Sequence, residues 1–86
     1  MKTRVALIGI IVEERTHIDI LNSLLHEYRD YIIGRMGVPY KSKKISVISV
    51  IIDASNDVIS SLSGKLGKLQ GISVKTMYSK VESEQI

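Results

Sequence analysis

The chain has no cysteine, no tryptophan and no phenylalanine, and a single proline among its 86 residues. Without cysteine there is no disulfide, no thiolate nucleophile, no zinc knuckle and no iron–sulfur cluster held by this chain's own sulfur. Such a composition suits a reducing compartment, and a cytoplasmic location is expected. The four aromatic residues are all Tyr, and neither of the two most apolar segments contains one. An RNA-recognition module, which stacks bases on aromatics of its central strands, is therefore not expected. Charge of one sign is scarce as well: 12 Lys and Arg against 9 Asp and Glu give a net charge of +3. The basic residues are dispersed along the sequence, which argues against direct DNA binding by the isolated chain. The apolar run from Val5 to Val12 falls far below the ~18 residues of a membrane span. Glu13-Glu14-Arg15 follow it where a signal peptide would carry a small-residue cleavage site, so the run reads as a strand.

What is present suits one small core, expected over residues 1–80, with 81–86 as a frayed tail. Val5–Val12 and Ile45–Ile52 are aliphatic and rich in β-branched residues, the pattern of central strands buried on both faces. Thr16 with Asp19 makes an approximate capping box, and Ile18, Leu21, Leu25 and Tyr28 then recur at helical spacing, predicting a helix from about Thr16 to Arg29. From Tyr31 the period becomes two: Ile32, Gly34, Met36 and Val38 point one way, and Tyr31, Ile33, Arg35 and Gly37 the other. Pro39 and the polar Lys41-Ser42-Lys43-Lys44 end that edge strand in a hairpin. A second helix is expected after the cap candidates of Asp53–Asp57, with Val58, Ile59, Leu62, Leu66 and Leu69 on one face and Gly71 at its end. Ile72, Val74, Thr76 and Tyr78 alternate in a last strand.

The order β-α-β-β-α-β defines an α+β, ferredoxin-like split arrangement with an antiparallel sheet in the order 4-1-3-2 and both helices on one face. The two aliphatic segments then lie at the centre and the two alternating ones at the edges. A conflict follows, because helices cover one face while the central strands are apolar on both. A contiguous apolar face is unusual on a monomer, so self-association as a homodimer or homotetramer is expected.

Chemistry-bearing patterns are few. Neither histidine sits in a nucleophile–base arrangement, and Gly64-Lys65-Leu66-Gly67-Lys68 lacks the spacing of a phosphate-binding loop, so no catalytic residue and no enzymatic activity is expected. The helix glycines could allow close approach of a ligand or simply mark an exposed face. His17 and His26 are nine residues apart, off the spacing that sets two metal ligands on one helix face, so no metal or cofactor is expected on a single chain. The alternative is a site shared between subunits at His26, with Asn22 and Asp30 close in sequence. The unusual stretch is Tyr31–Pro39, with Gly34 and Gly37 inside a strand and Arg35 between them. It reads either as a bulged edge with a solvent-facing Arg or as room for a ligand with an anion-binding fork. His26, Gly34, Arg35 and Gly37 are the candidate ligand site, expected between subunits.

The residues from His26-Glu27-Tyr28-Arg29-Asp30 through Tyr31–Tyr40, together with Ile48–Asp57 and Ser63–Leu69, closely resemble the family of iron-only hydrogenase system regulators, ACT-like proteins of bacteria. The resemblance spans about residues 3–80. It implies a ferredoxin-like, ACT-like domain with a regulatory role, non-enzymatic and sensing a small molecule or engaging a protein partner, without naming the ligand. A structural or protein-interaction module with no ligand of its own is the competing expectation. More distantly the chain resembles the C-terminal sensor domain of nickel-responsive repressors. His26 with Asp30 fits the first element of that family's site, but Gly37 and Pro39 occupy its His-x-His positions and there is no Cys. The resemblance therefore implies no nickel site here.

Overall fold

The computed structural model describes residues 2–84. Its elements are β1 (Lys2–Val12), α1 (Ile18–Glu27), a 3-10 turn (Arg29–Tyr31), β2 (Ile32–Tyr40), a second 3-10 turn (Lys41–Lys43), β3 (Ile45–Ala54), α2 (Asn56–Gly67), β4 (Ile72–Tyr78) and the two-residue β5 (Ser83–Glu84). The sheet runs β2-β3-β1-β4, entirely antiparallel, which is the predicted 4-1-3-2 order read from the other edge. β1 and β3 are central, as their aliphatic composition requires.

One face of the sheet carries the core. Ala6, Ile8, Ile10 and Val12 of β1 alternate inward with Ile48, Val50, Ile52 and Ala54 of β3. Leu21, Leu25 and Tyr28 descend on them from the α1 segment, and Ile59, Leu62 and Leu66 from α2. Each fully buried Ile or Leu side chain contributes about 1.5–3 kcal/mol of transfer free energy, so this one layer dominates the stability of the fold.

The helix ends depart from the prediction in instructive ways. α1 starts at Ile18, with His17 at the N-cap and no side-chain cap, so the Thr16–Asp19 capping box does not form. The backbone N–H groups of Glu13 and Glu14 both donate to the Gly71 carbonyl, at 2.7 and 3.0 Å, and the Ile18 N–H reaches the Arg15 carbonyl. The chain is thus tied to the α2–β4 loop before it can enter a helix. In α2, Ser55 is the cap, its Oγ accepting from the Val58 N–H at 3.3 Å. Gly71 does not end α2, which stops at Gly67; with φ +79° it turns the chain into β4. A Cβ at Gly71 would lie 2.5 Å from the Glu14 Cβ, so both backbone and packing demand glycine there.

Two further expectations are corrected. In β2, Ile32 stands opposite Ile52 while Gly34 stands opposite Ile51, so Ile33 is an extra residue. This bulge puts Ile32 on the helix side with Arg35, and leaves only Gly34, Met36 and Val38 together on the other face. In the tail, Ser83 and Glu84, expected to fray, pair with Thr3 and Lys2. Arg4 braces this end, donating to the Ser79 carbonyl at 2.8 Å and meeting the Glu82 carboxylate at 3.1 Å. Residues 85 and 86 of the expected tail lie outside the described residues. Among the described residues no helix is long and apolar enough to cross a membrane.

Candidate functional site

β2 extends past the cover of the helices, and a groove opens between it and α1. At one end, Asn22, His26 and Arg29 of the α1 side face Ile32 and Arg35 of β2 across a depression of about 310 Å³. A second depression of about 290 Å³ continues it, floored by Ile18, Pro39 and Ile48 and lined also by Arg15 and Arg35. A third, of about 280 Å³, brings in Lys41 and Lys44 beside Arg15. Alternation explains the side of the sheet: Arg35 stands opposite the buried Val50 and Gly37 opposite the buried Ile48, so both belong to the helix side.

The candidate residues thus divide. His26 and Arg35 line one depression, and Arg35 and Gly37 the next. Gly34 is on the opposite face, beside Ile51, with no atom within 4 Å of where its Cβ would be. Arg15 and Arg29 were not legible as partners of Arg35, because one lies in the β1–α1 loop and the other in the 3-10 turn. Cations dispersed in sequence are gathered along this groove by the fold. Gly64 and Gly67 have open space beside them, which accords with an exposed helix face. Among the described residues no three His, Asp or Glu side chains are grouped to hold a metal.

The other surface is the uncovered face of the sheet. Val5, Leu7 and Ile11 of β1 and Val47 and Ile51 of β3 are each 40–43% exposed there. Cross-strand register orders this face in rows: Gly34–Ile51–Leu7–Met77, then Met36–Ser49–Gly9–Lys75, then Val38–Val47–Ile11–Ser73. The middle row is small at its centre, so a furrow runs between two apolar ridges, with depressions of about 240 and 360 Å³ meeting at Gly9. Gly9 was passed over in sequence; a lone glycine inside an aliphatic strand was the available signal.

The most connected polar group joins the two helices on the covered side. The Tyr28 hydroxyl accepts from Lys65 Nζ at 2.9 Å and shares a hydrogen bond with Ser61 Oγ at 2.9 Å. Lys65 also pairs with the Glu27 carboxylate at 3.7 Å. The Lys65 hydrogen bond, aided by Ser61, holds the Tyr28 phenol below its ordinary pKa, and the same bond holds the Lys65 ammonium above its own. This is a clamp on the covering layer, with the Tyr28 ring buried in the core.

Comparison with known proteins bears on what these surfaces serve. Residues 4–76 match the TM1266-like family model, described as "Iron-only hydrogenase system regulator, putative". The chain belongs to this family. The solved structure of the uncharacterized protein TM1266 from Thermotoga maritima is 33% identical and superposes with a TM-score of 0.86, covering 91% of this chain and 99% of that one. A formyltetrahydrofolate deformylase from Pseudomonas putida KT2440 shares the fold at a TM-score of 0.61 and 13% identity. That match covers 85% of this chain and 28% of the deformylase. Comparison with curated proteins gives no match.

Proposed function

We propose that the chain is a non-enzymatic regulatory module of the iron-only hydrogenase system, acting in the cytoplasm as a homodimer or homotetramer joined through its uncovered sheet face. A small effector binds in the α1–β2 groove at His26, Arg35 and Gly37, and transcription is affected through a partner rather than by direct reading of DNA. Family membership supports the regulatory role. Binding rather than turnover suits the groove, because the His26 side chain is paired with no serine or carboxylate among the described residues.

The observation that carries the oligomer is Gly9. Glycine weakens a central strand by roughly 0.5–1 kcal/mol relative to alanine, and is kept where another backbone or ligand approaches closely. Nothing inside the chain demands it: Gly9 has no positive φ, and an added Cβ would meet only the Lys75 carbonyl at an ordinary 3.7 Å. Its furrow is bordered by the Leu7–Ile51 and Ile11–Val47 ridges, so a second copy can seat an apolar ridge in it.

Light scattering on wild type and Gly9→Val at tens of micromolar tests this. Wild type is expected well above the 9.6 kDa monomer mass, and Gly9→Val is expected to shift toward the monomer while unfolding no more easily than wild type at low concentration. A monomeric wild type, or a Gly9→Val that is stabilised with unchanged mass, overturns the oligomer. A module that only engages another protein predicts a monomer alone and a complex with that protein.

A further inference from the structure

We propose that the α1–β2 groove takes a small, multiply charged anion, an organic phosphate of nucleotide size, held by Arg15, Arg29 and Arg35. The proposal rests on the effector reading above and names the ligand's chemistry.

Charge is the first ground. Arg29 and Arg35 line one depression and Arg15 and Arg35 the next, with Lys41 and Lys44 beyond Arg15. Among the described residues no carboxylate lines any of the three. Among the described residues Arg15 and Arg35 make no ion pair or side-chain hydrogen bond, and Arg29 only donates to the His26 carbonyl at 3.0 Å. Like charges held together without counter-charge repel, and an anion relieves that repulsion while accepting forked hydrogen bonds from the guanidiniums. A zwitterionic amino acid fits poorly, because its ammonium group would meet cations and find no carboxylate.

Shape is the second ground. The middle depression has an apolar floor of Ile18, Pro39 and Ile48 with Arg15 and Arg35 also lining it, so it suits a flat apolar body carrying charge. Gly37 keeps that floor open. A Cβ there would meet nothing nearer than Ile48 Cγ1 at 3.9 Å, so packing within the chain does not require glycine at this position either. Each depression is near the lower limit of ~300 Å³ for small-molecule sites, and because adjoining ones share Arg35 or Arg15, a nucleotide is expected to span two of them. A single-stranded nucleic acid would want several aromatic platforms along its path, whereas only Tyr40 is at hand, at one end.

Isothermal titration of the full chain with ATP, inorganic pyrophosphate, glutamate and a 12-nucleotide single-stranded DNA tests the proposal. ATP is expected to bind more tightly than pyrophosphate, with affinity falling as salt rises, and glutamate is expected to give no binding. Arg35→Ala should weaken ATP at least tenfold, Arg35→Lys less, and Gly37→Val should weaken ATP more than pyrophosphate by filling the apolar floor. Arg35 and Gly37 are exposed on an edge strand, so these variants are expected to fold. Absence of ATP binding, ATP affinity unchanged in both Arg35→Ala and Gly37→Val, or binding of the oligonucleotide in preference to ATP each overturns the proposal. Light scattering on the same samples keeps the oligomer separate: a monomer that binds ATP refutes the assembly and not the site.

Discussion

Along β1, Ala6, Ile8, Ile10 and Val12 are buried beneath the helices, whereas Val5, Leu7 and Ile11 remain two-fifths exposed on the other side of the same strand. β3 repeats the contrast, with Val50 and Ile52 buried and Val47 and Ile51 exposed. The residue types are the same, so hydrophobicity alone does not separate a core from a contact surface. What separates them is the cover, together with the row of small residues that each face does or does not contain. The covered face is filled by large side chains from two helices, while the open face is furrowed at Gly9 and Ser49.

The sharpest test of this contrast compares neighbours in one strand. Ile52→Ala, on the covered face, should lower stability by about 3 kcal/mol at any protein concentration. Ile51→Ala, one residue away on the open face, should lower it by only ~1 kcal/mol in dilute solution, with the larger loss appearing as a reduced dependence of Tm on concentration. Denaturant unfolding and thermal melts at low and high concentration measure both. Equal losses for the two variants in dilute solution would erase the distinction between the faces.

The next effect concerns the loop that brings the cover back to the sheet. Gly71→Ala sets a Cβ against Glu14 and forces an unfavourable left-handed backbone, and should cost about 2 kcal/mol. Its loss should appear in urea unfolding without any concentration dependence, since Gly71 belongs to the covered side's closure and not to the open face.

The smallest effect tests the clamp between the helices. Tyr28→Phe removes the hydroxyl that accepts from Lys65 and bonds to Ser61, and should cost ~1 kcal/mol at neutral pH. In an alkaline absorbance titration, Tyr28 should ionise below 10.0, and either Tyr28→Phe or Lys65→Met should remove that component. The sign follows from linkage: a depressed phenol pKa adds stability only as pH rises past the folded pKa toward 10.0, so the shift adds nothing at neutral pH, where the neutral hydroxyl's hydrogen bonds alone contribute. The raised Lys65 ammonium acts in the opposite sense, its contribution fully present below 10.5 and lost as pH climbs through its higher folded value. A wild-type titration that Lys65→Met leaves unaltered would show the clamp open in solution.

The order of elements, the central place of the two aliphatic strands and the faces of both helices were legible in the sequence. Each depends on periodicity within one segment, which local geometry converts directly into burial. Ser55 could be named only as one of several caps, because capping depends on where the chain enters the helix, and Thr16 failed as a cap because Gly71 holds residues 13 and 14 across the end of the sheet. His26, Arg35 and Gly37 were legible as a region, since they cluster around one glycine-interrupted strand. Gly34 stands on the face opposite Arg35 and Gly37, as simple alternation already required, and the bulge at Ile33 changes only the side that Ile32 takes. The sequence by itself determined that there would be a surplus apolar face, since two strands apolar on both sides cannot be covered by two helices. Only the tertiary structure decided that Gly9 and Ser49 would stand side by side as its furrow, and that Arg15, Arg29 and Arg35 would meet along one groove. Those neighbours lie tens of residues apart or on different elements, and strand register and helix docking, rather than local pattern, set the distances between them.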